Sequence, residues 1–404
     1  MRNEKIGIFG ASGFVGSALC ERLFLEGDRN LVAFIHTSGN AARIARFPMD
    51  IRSVDLMDRK QVCEVVSGCT AVVNCSRGSE FVMTRGLRHI LEAVKQARVG
   101  KFIHLSSIGI YGDDPDESSR TESGVPVPGR NAYGRMKLHQ DEWVFQLHES
   151  GVSSYILCPD NIGGPYSSFV LALATRLAAG PFPLVDGGRY PTNVVHVDNL
   201  VQAIVAAIDS KHGAGERYFV NEEEEVSWRR YCADLAGLLD FDCTFTEVTR
   251  DEALACVRSR PGRAGLVDHF KIALSSEFRR GLALMPAFAW LNEMARRRFE
   301  ALPFNWQAAV RERAERPRIV TKETSGPPLD EPYVRLQLRR FYHCPDKLGH
   351  MLGYKPALTY SQGMQTTAAW LRAAGAAQGT QNQYPHLVRM SAPRGEGSSP
   401  VHRS

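Results

Sequence analysis

The sequence predicts an α/β chain, a doubly wound parallel sheet followed by a smaller C-terminal α+β substrate lobe. Three observations carry that prediction. Short β-like runs alternate with helical patterns through the first hundred residues, a glycine-rich turn separates the first strand from the first helix, and the rhythm changes to longer helical patterns from about residue 221. At 404 residues, with 44% hydrophobic and 23% charged, the chain can bury a core and carry a second lobe. That composition excludes wholesale disorder, collagen and a disulfide miniprotein.

In order, residues 6–9, 31–35, 71–74 and 101–105 read as strands. Between them, 14–26, 58–66 and 81–99 carry apolar residues at helical spacing. A helix over 133–150, strands over 154–157, 193–196 and 217–220, and a helix over 198–208 extend the same sheet. The alternation Tyr333-Val334-Arg335-Leu336-Gln337-Leu338-Arg339 predicts a strand in the second lobe. The division expected is 1–165 as the sheet domain, completed by 190–220, with 166–189 and 221–375 as the substrate-binding lobe. Residues 376–404, rich in Gln, Gly, Ser, Pro and Arg and without periodicity, are expected to be a disordered tail.

Lys+Arg 49 against Asp+Glu 44 gives +5, an excess too diffuse to imply nucleic acid. The nine cysteines are an odd number without a Cys-x-x-Cys pair, which points to reduced thiols and a cytoplasmic chain. Met1 to Lys5 run directly into an apolar strand, so no signal peptide is expected, and the uncharged runs 161–175 and 281–292 are too short to span a bilayer. Twelve histidines show no His-Glu-x-x-His spacing, so no metal is expected. The run Glu222 to Glu225 reads as a solvated loop of like charges.

The chemistry begins at Gly10-Ala11-Ser12-Gly13-Phe14-Val15-Gly16, placed between a strand and a helix. Gly10 permits the tight turn, Gly13 lets backbone N–H groups approach a pyrophosphate, and Gly16 lets the helix lie close on the sheet. Such a turn asks for a dinucleotide in a Rossmann-type domain. At the end of the second strand stand His36, Thr37 and Ser38, with no acid to accept from an adenosine ribose. His36, Ser12 and Arg43 could together hold a 2′-phosphate, which favours NADP over NAD; His36 is equally readable as a polar residue at a strand end. Asp55-Leu56 is placed to meet the adenine edge, although an aspartate there also suits a helix cap.

Tyr133 and Lys137 lie at i and i+4 on one helix face. A neighbouring ammonium and an oxidised nicotinamide stabilise a phenolate, lowering its pKa from near 10 toward that of a useful base. Ser106-Ser107 leave the strand 101–105 at the carboxyl edge, where open α/β sheets bind ligands, so Ser107 can orient a substrate oxygen toward Tyr133.

With these residues the sequence resembles the extended short-chain dehydrogenase/reductase superfamily, specifically its NAD-dependent epimerase/dehydratase family, including nucleoside-diphosphate-sugar epimerases. The likeness runs through the glycine turn, Asp55-Leu56, Leu105 to Gly112, Tyr133-x-x-x-Lys137, Cys158-Pro159-Asp160-Asn161-Ile162-Gly163-Gly164-Pro165, His196 to Leu200 and a terminal segment from Lys347 to Leu371. It implies Ser107, Tyr133 and Lys137 as the catalytic triad, with Lys137 also on the nicotinamide ribose. Pro159 and Ile162 would lie beside the nicotinamide, Asn161 would face the substrate, and Cys75-Ser76 would stand beside the cofactor as packing residues. It also suggests a homodimer.

Two departures matter. Family dehydratases carry an Asp-Glu pair after the catalytic hydroxyl, where this chain has Ile108-Gly109, which disfavours dehydration. Many sugar-nucleotide epimerases carry an Arg-Asp pair where this chain has Thr192-Asn193, so Arg189 or a second-lobe arginine would have to grip a substrate phosphate. The sequence therefore supports two small-molecule reactions with NAD(P): epimerisation of a nucleotide-sugar by hydride transfer at a secondary alcohol with Tyr133 as acid/base, or net dehydrogenation or reduction of an apolar alcohol or ketone, hydroxysteroid dehydrogenase-like or flavonoid reductase-like. Intact Ser107, Tyr133 and Lys137 argue against a non-catalytic NAD(P)-binding scaffold. Basic clusters flanking an apolar, aromatic run over 279–298 could rest weakly on an anionic membrane surface, though burial or a pocket lid suits the run better.

Overall fold

A computed structural model of the chain describes residues 4–27, 29–129, 131–259 and 331–375. The run 279–298 and the tail 376–404 lie outside the described residues.

Seven parallel strands form the main sheet: β1 (Lys5–Phe9), β2 (Asn30–Ile35), β3 (Asp50–Ser53), β4 (Ala71–Asn74), β5 (Lys101–Leu105), β6 (Ser153–Pro159) and β10 (Glu216–Val220). Their order is β10-β6-β5-β4-β1-β2-β3. The chain winds outward from β1 in one direction through β2 and β3, then returns to β1's other side with β4. The crevice at the carboxyl ends of β1 and β4 is therefore the topological switch point, the place where open α/β sheets bind ligands.

The connecting helices are α1 (Phe14–Glu26), α2 (Arg59–Val66), α3 (Leu87–Gln96), α4 (Ala132–Glu149) and α6 (Val197–Asp209). Side chains alternate across β1, so Ile6 and Ile8 join Leu19 and Leu23 of α1 and Leu200 and Ile204 of α6 on one face. Phe9 joins Phe34, Phe102, Leu87 and Ile90 on the other. The expected helix over 81–99 divides: a π turn over Val82–Gly86 precedes α3.

The second lobe holds α5 (Ser168–Ala178), α7 (Trp228–Leu238), α8 (Arg250–Ser259), α9 (Glu331–Gln337) and α11 (Tyr360–Ala373), while α10 (Asp346–Leu352) packs Leu348 and Leu352 into the main sheet's core. The lobe's own core is Leu173, Leu177, Trp228, Tyr231, Leu235, Tyr360, Met364 and Leu371. Two short parallel pairs complete the fold, β8 (Phe182–Val185) with β11 (Phe245–Val248), and β7 (Asn161–Gly163) with β9 (Val194–His196).

Three expectations are corrected here. The strand over 193–196 does not extend the main sheet; β9 pairs with β7 beyond the sheet's edge. The stretch 333–339 is not a strand: Tyr333, Val334, Gln337 and Leu338 are buried, with Arg339 after them, while Arg335 and Leu336 are less so, and spacings of one and four belong to a helix face. Glu222 is not solvated: it is 5% exposed, and its carboxylate accepts from the His196 N–H (2.7 Å) and from Asn199 Nδ2 (3.0 Å). Asn199 also exchanges hydrogen bonds with the Leu358 backbone, which fastens the segment leading into α11 to α6.

Burial pushes the Glu222 carboxyl up to about 7, against its two donors, which pull it down. The folded protein thus holds a proton there that the unfolded chain releases near 4.5. The associated stability is fully present below pH 4.5 and is lost as pH rises through about 7, a swing on the order of 3 kcal/mol. Glu222→Gln should flatten the difference in melting temperature between pH 5 and pH 8; an unchanged difference would show that Glu222 does not titrate this way.

Candidate active site

The first wall of the crevice is the turn from β1 into α1. Gly10 has φ +73°, and a Cβ there would stand 2.6 Å from the Cys75 carbonyl oxygen; one on Gly16 would stand 2.2 Å from the Gly10 carbonyl oxygen. Only glycine permits either approach. Gly13 precedes α1 without a side-chain cap, and no acid occupies the helix's first turn. The Gly13 N–H closes the turn on the Gly10 carbonyl (2.9 Å), and the Ser17 N–H bonds the Gly13 carbonyl (2.9 Å), which leaves the N–H groups of the first turn of α1, Phe14 to Gly16, for an anion. These features fit a dinucleotide pyrophosphate.

Around the turn, Ser12 and Phe14 are half-buried and Val15 is packed into the core. His36 is exposed at the end of β2, and its carbonyl accepts from Ser53 Oγ (2.9 Å). Arg43 is not gathered with Ser12 and His36; its guanidinium lies over the Tyr166 ring, 4.0 Å from the centroid. Asp55 Oδ1 accepts from the Met57 N–H (2.9 Å) while Asp58 caps α2, so Asp55 braces its own turn. The carbonyl of Leu56 pairs with His89 Nδ1 (2.8 Å). Burial pushes the Cys75 thiol far up, which suits packing and not nucleophilic chemistry. Ser76 Oγ donates to Asn74 Oδ1 (2.6 Å), fixing the exit of β4.

The opposite wall is built by the exit of β5 and the start of α4. Ser107 Oγ accepts from the Gly109 N–H (3.1 Å), which leaves its own proton to donate outward. The helix α4 begins at Asn131, whose side chain accepts from the Gly134 N–H (2.9 Å). A Cβ on Gly134 would lie 2.2 Å from the Gly109 carbonyl oxygen. This backbone contact is what sets Tyr133 beside Ser107. The Tyr133 side chain is 43% exposed at the cleft mouth, yet its phenol is pushed up by burial; Arg77 and the Ser107 hydroxyl pull it back.

One turn on, Lys137 is 5% exposed and donates from Nζ to the Leu105 carbonyl (2.8 Å), keeping two further N–H groups available. Burial pushes it down to about 8, opposed first by Asp141. Sequence spacing did not single out Asp141, which is fully buried and bridged to Arg217 Nε of β10 at 2.8 Å. Its one signal in the sequence is that it follows Lys137 by four residues on the same helix.

Pro159 ends β6 and Ile162 sits in β7, packed on the sheet core. Asn161 is buried, and its Nδ2 donates to the Thr192 carbonyl (2.9 Å). Arg189 is not brought to the triad: its exposed side chain pairs with Asp186 (3.0 Å) and the Tyr190 hydroxyl (3.2 Å). Among the described residues, three second-lobe arginines are also taken up by carboxylates, Arg339 by Asp160, Arg335 by Asp113, and Arg250 by Asp114 at 2.5 Å. Ile108 is fully buried, so no acid stands where dehydratases carry theirs. Among the described residues no helix is long and apolar enough to cross a membrane, and no cluster of His, Cys, Asp and Glu has metal-ligand geometry.

The family model for the NAD dependent epimerase/dehydratase family matches residues 6–220, more than half of the chain. The chain belongs to this family. Among curated relatives, it is 25% identical over 236 residues to the 4-hydroxy-2-methyl-3-oxo-4-farnesyl-3,4-dihydroquinoline-1-oxide ketoreductase of Stigmatella aurantiaca, covering 55% of this chain and 70% of the relative. It is 23% identical to the 2-alkyl-3-oxoalkanoate reductase of Shewanella oneidensis, covering 54% and 62%. It is 26% identical to the UDP-glucose 4-epimerase of Mycolicibacterium smegmatis, covering 57% and 81%. Among solved structures, the UDP-glucuronic acid 4-epimerase of Bacillus cereus in complex with NAD superposes with a TM-score of 0.60 at 16% identity, over 92% of this chain and 99% of the other. The UDP-glucose 4-epimerase of Thermotoga maritima gives 0.61 at 15%, again over 92% and 99%. Those likenesses show that the fold extends through the second lobe.

The glycine turn yields a contrast. Gly16→Ala should weaken NAD or NADP binding at least tenfold, because its methyl group meets backbone; Gly39→Ala, with nothing within 4 Å, should bind as the parent does. Titration by nicotinamide fluorescence checks both, and equal affinities would separate the turn from cofactor binding.

Proposed function

We propose that this protein is an NAD(P)-dependent oxidoreductase that transfers hydride at a secondary alcohol or ketone, with Tyr133 as acid/base. The observation that carries the reading is the convergence of Ser107, Tyr133 and Lys137 beside a turn shaped for a pyrophosphate, at the switch point of the sheet.

A nicotinamide dinucleotide, when bound, supplies the hydride acceptor or donor. In the oxidative direction Tyr133 as phenolate takes the proton from the substrate hydroxyl as its carbon loses hydride; in reduction the Tyr133 hydroxyl returns that proton to the forming alkoxide. Ser107 donates to the same substrate oxygen and fixes it against Tyr133. Lys137 holds ribose hydroxyls with its two remaining donors, and its charge favours the Tyr133 phenolate. Ile108 and Gly109 offer no second acid or base, so the residues support redox at the carbinol carbon and no elimination of water.

Two observations favour a ketone or alcohol with an apolar substituent. Among the described residues, Arg335, Arg250 and Arg339 are already paired with Asp113, Asp114 and Asp160, so a diphosphate would have to break those pairs or turn to Arg77, which faces Tyr133 and Lys137. Val125 (75% exposed) and Val127 (63%) put exposed apolar side chains on the loop that leads into α4. Two ketoreductases among the relatives agree with this. The second reading, epimerisation of a nucleotide-sugar with the cofactor kept bound, is favoured by the UDP-glucose 4-epimerase among the relatives. For the cofactor, the lack of an acid at 36–38 favours NADP, while the B. cereus epimerase carries NAD.

Two measurements test the proposal. Tyr133→Phe should leave cofactor affinity within about twofold and lower turnover roughly a hundredfold or more, so unchanged turnover would remove Tyr133 as the acid/base. Denaturing freshly purified protein and identifying the released dinucleotide separates the two substrate readings: a stoichiometric retained cofactor supports epimerisation, and an empty, exchangeable site supports net redox. Subsequent titration with NAD and NADP decides between the two cofactors.

A further inference from the structure

We infer that Asp141, held by Arg217, is a positioning residue for Lys137, its carboxylate keeping that side chain an ammonium inside the closed cleft. The inference rests on the assignment of Lys137 to the cofactor ribose.

The geometry is local and specific. Asp141 follows Lys137 by one helical turn on the buried face of α4, where side chains four apart are neighbours. Its carboxyl is 0% exposed, one oxygen bonds Arg217 Nε, and the Ser106 hydroxyl faces the same carboxyl. Arg217 lies on the edge strand β10 and stacks over Phe145, 4.8 Å from the ring centroid, so the cation that holds Asp141 is itself fixed by packing. A fully buried carboxylate is expensive to keep for structure only.

The charges facing Lys137 can be sorted element by element. Cys75 from β4 and Cys158 from β6 are thiols that burial pushes far up, and burial pushes His104 of β5 well below its usual range; all three are neutral across the working range. Tyr133 on α4 is raised and neutral without cofactor. Arg77, after β4, repels the ammonium. Asp141 is thus the negative charge, among the described residues, that opposes both Arg77 and the burial of Lys137. Asp141 in turn faces Arg217 of β10, Lys137, Ser106, Cys158 and Tyr111; burial raises it, and Arg217 is the foremost group pulling it back.

The test uses the full chain and NADH or NADPH, whichever the parent binds, followed by nicotinamide fluorescence from pH 5.5 to 9.5. In the parent, affinity should fall as pH rises through the Lys137 ionisation near 8. Asp141→Leu with Arg217→Met replaces the buried pair by apolar groups, a change that proteins tolerate. In that variant the fall should begin about one pH unit lower or more, with roughly a fivefold or greater loss of affinity at pH 8 and near-parental affinity at pH 6. Should the double variant not fold, Asp141→Asn carries the same expectation, and Asp141→Glu should restore the parental profile. A double variant or an Asp141→Asn protein that folds and keeps the parental profile overturns the inference and leaves a purely structural ion pair. Loss of the pH-dependent step in the parent itself, checked against Lys137→Met, would instead remove Lys137 from the ribose, a failure of the underlying reading distinguishable from the first.

Discussion

Everything in the crevice depends on how closely backbone meets backbone at the head of α1. Gly10 lies against the exit of β4 and Gly16 lies against Gly10, each at a distance a methyl group would occupy. That contact draws the N-terminus of α1 down onto the sheet, where its unbonded N–H groups face the switch point between β1 and β4. A second contact of the same kind, Gly134 against the Gly109 carbonyl, draws the start of α4 onto the exit of β5. The two approaches face each other across the sheet's carboxyl edge. One offers donors for an anion, and the other offers a hydroxyl, a phenol and an ammonium.

The cleft between them is governed by burial of charge. Lys137 is almost wholly enclosed and gives one donor to Leu105, so desolvation works against its charge and a carboxylate one turn away works for it. On the far side, the described arginines of the second lobe meet Asp113, Asp114 and Asp160. Among the described residues, the two halves of the molecule are therefore joined through ion pairs next to the site.

The junction is tightened by a set of neutral hydrogen bonds. Asn193, at φ +47°, accepts from Asn221 and from the His343 N–H and donates to the Phe341 carbonyl; Glu222 gathers His196 and Asn199 one strand away. These side chains satisfy the His196 N–H at the end of β9 and the backbone of Phe341 and His343, which sheet pairing does not reach. They also explain why the segment from 339 to 343 can cross over the carboxyl edge of the sheet without regular structure of its own.

The sheet domain was legible in the sequence because its signals are local. Buried parallel strands are short apolar runs, helices repeat at 3.6 residues, and the glycines stand where backbone has no room for a side chain, so β1, β2, β4, β5, β6, β10, α1 and α4 could be read in order, whereas β3, whose four residues are half-buried or exposed, could not. Where two periods fit one stretch, only packing decided: Tyr333, Val334, Gln337 and Leu338 face the lobe core as one side of a helix, although the letters alternate. Partners far apart in sequence were equally out of reach. Nothing along the chain distinguishes Glu222 from the three exposed glutamates after it, or shows that Asp141 meets Arg217 and that the cleft arginines meet Asp113, Asp114 and Asp160. The sequence by itself determined most of the sheet, the glycine turn and the i, i+4 spacing of Tyr133 and Lys137, since each needs only neighbours on the chain. The tertiary structure decided which charges are buried, paired or neutral, because desolvation and Coulomb energy depend on distances that only the folded chain sets.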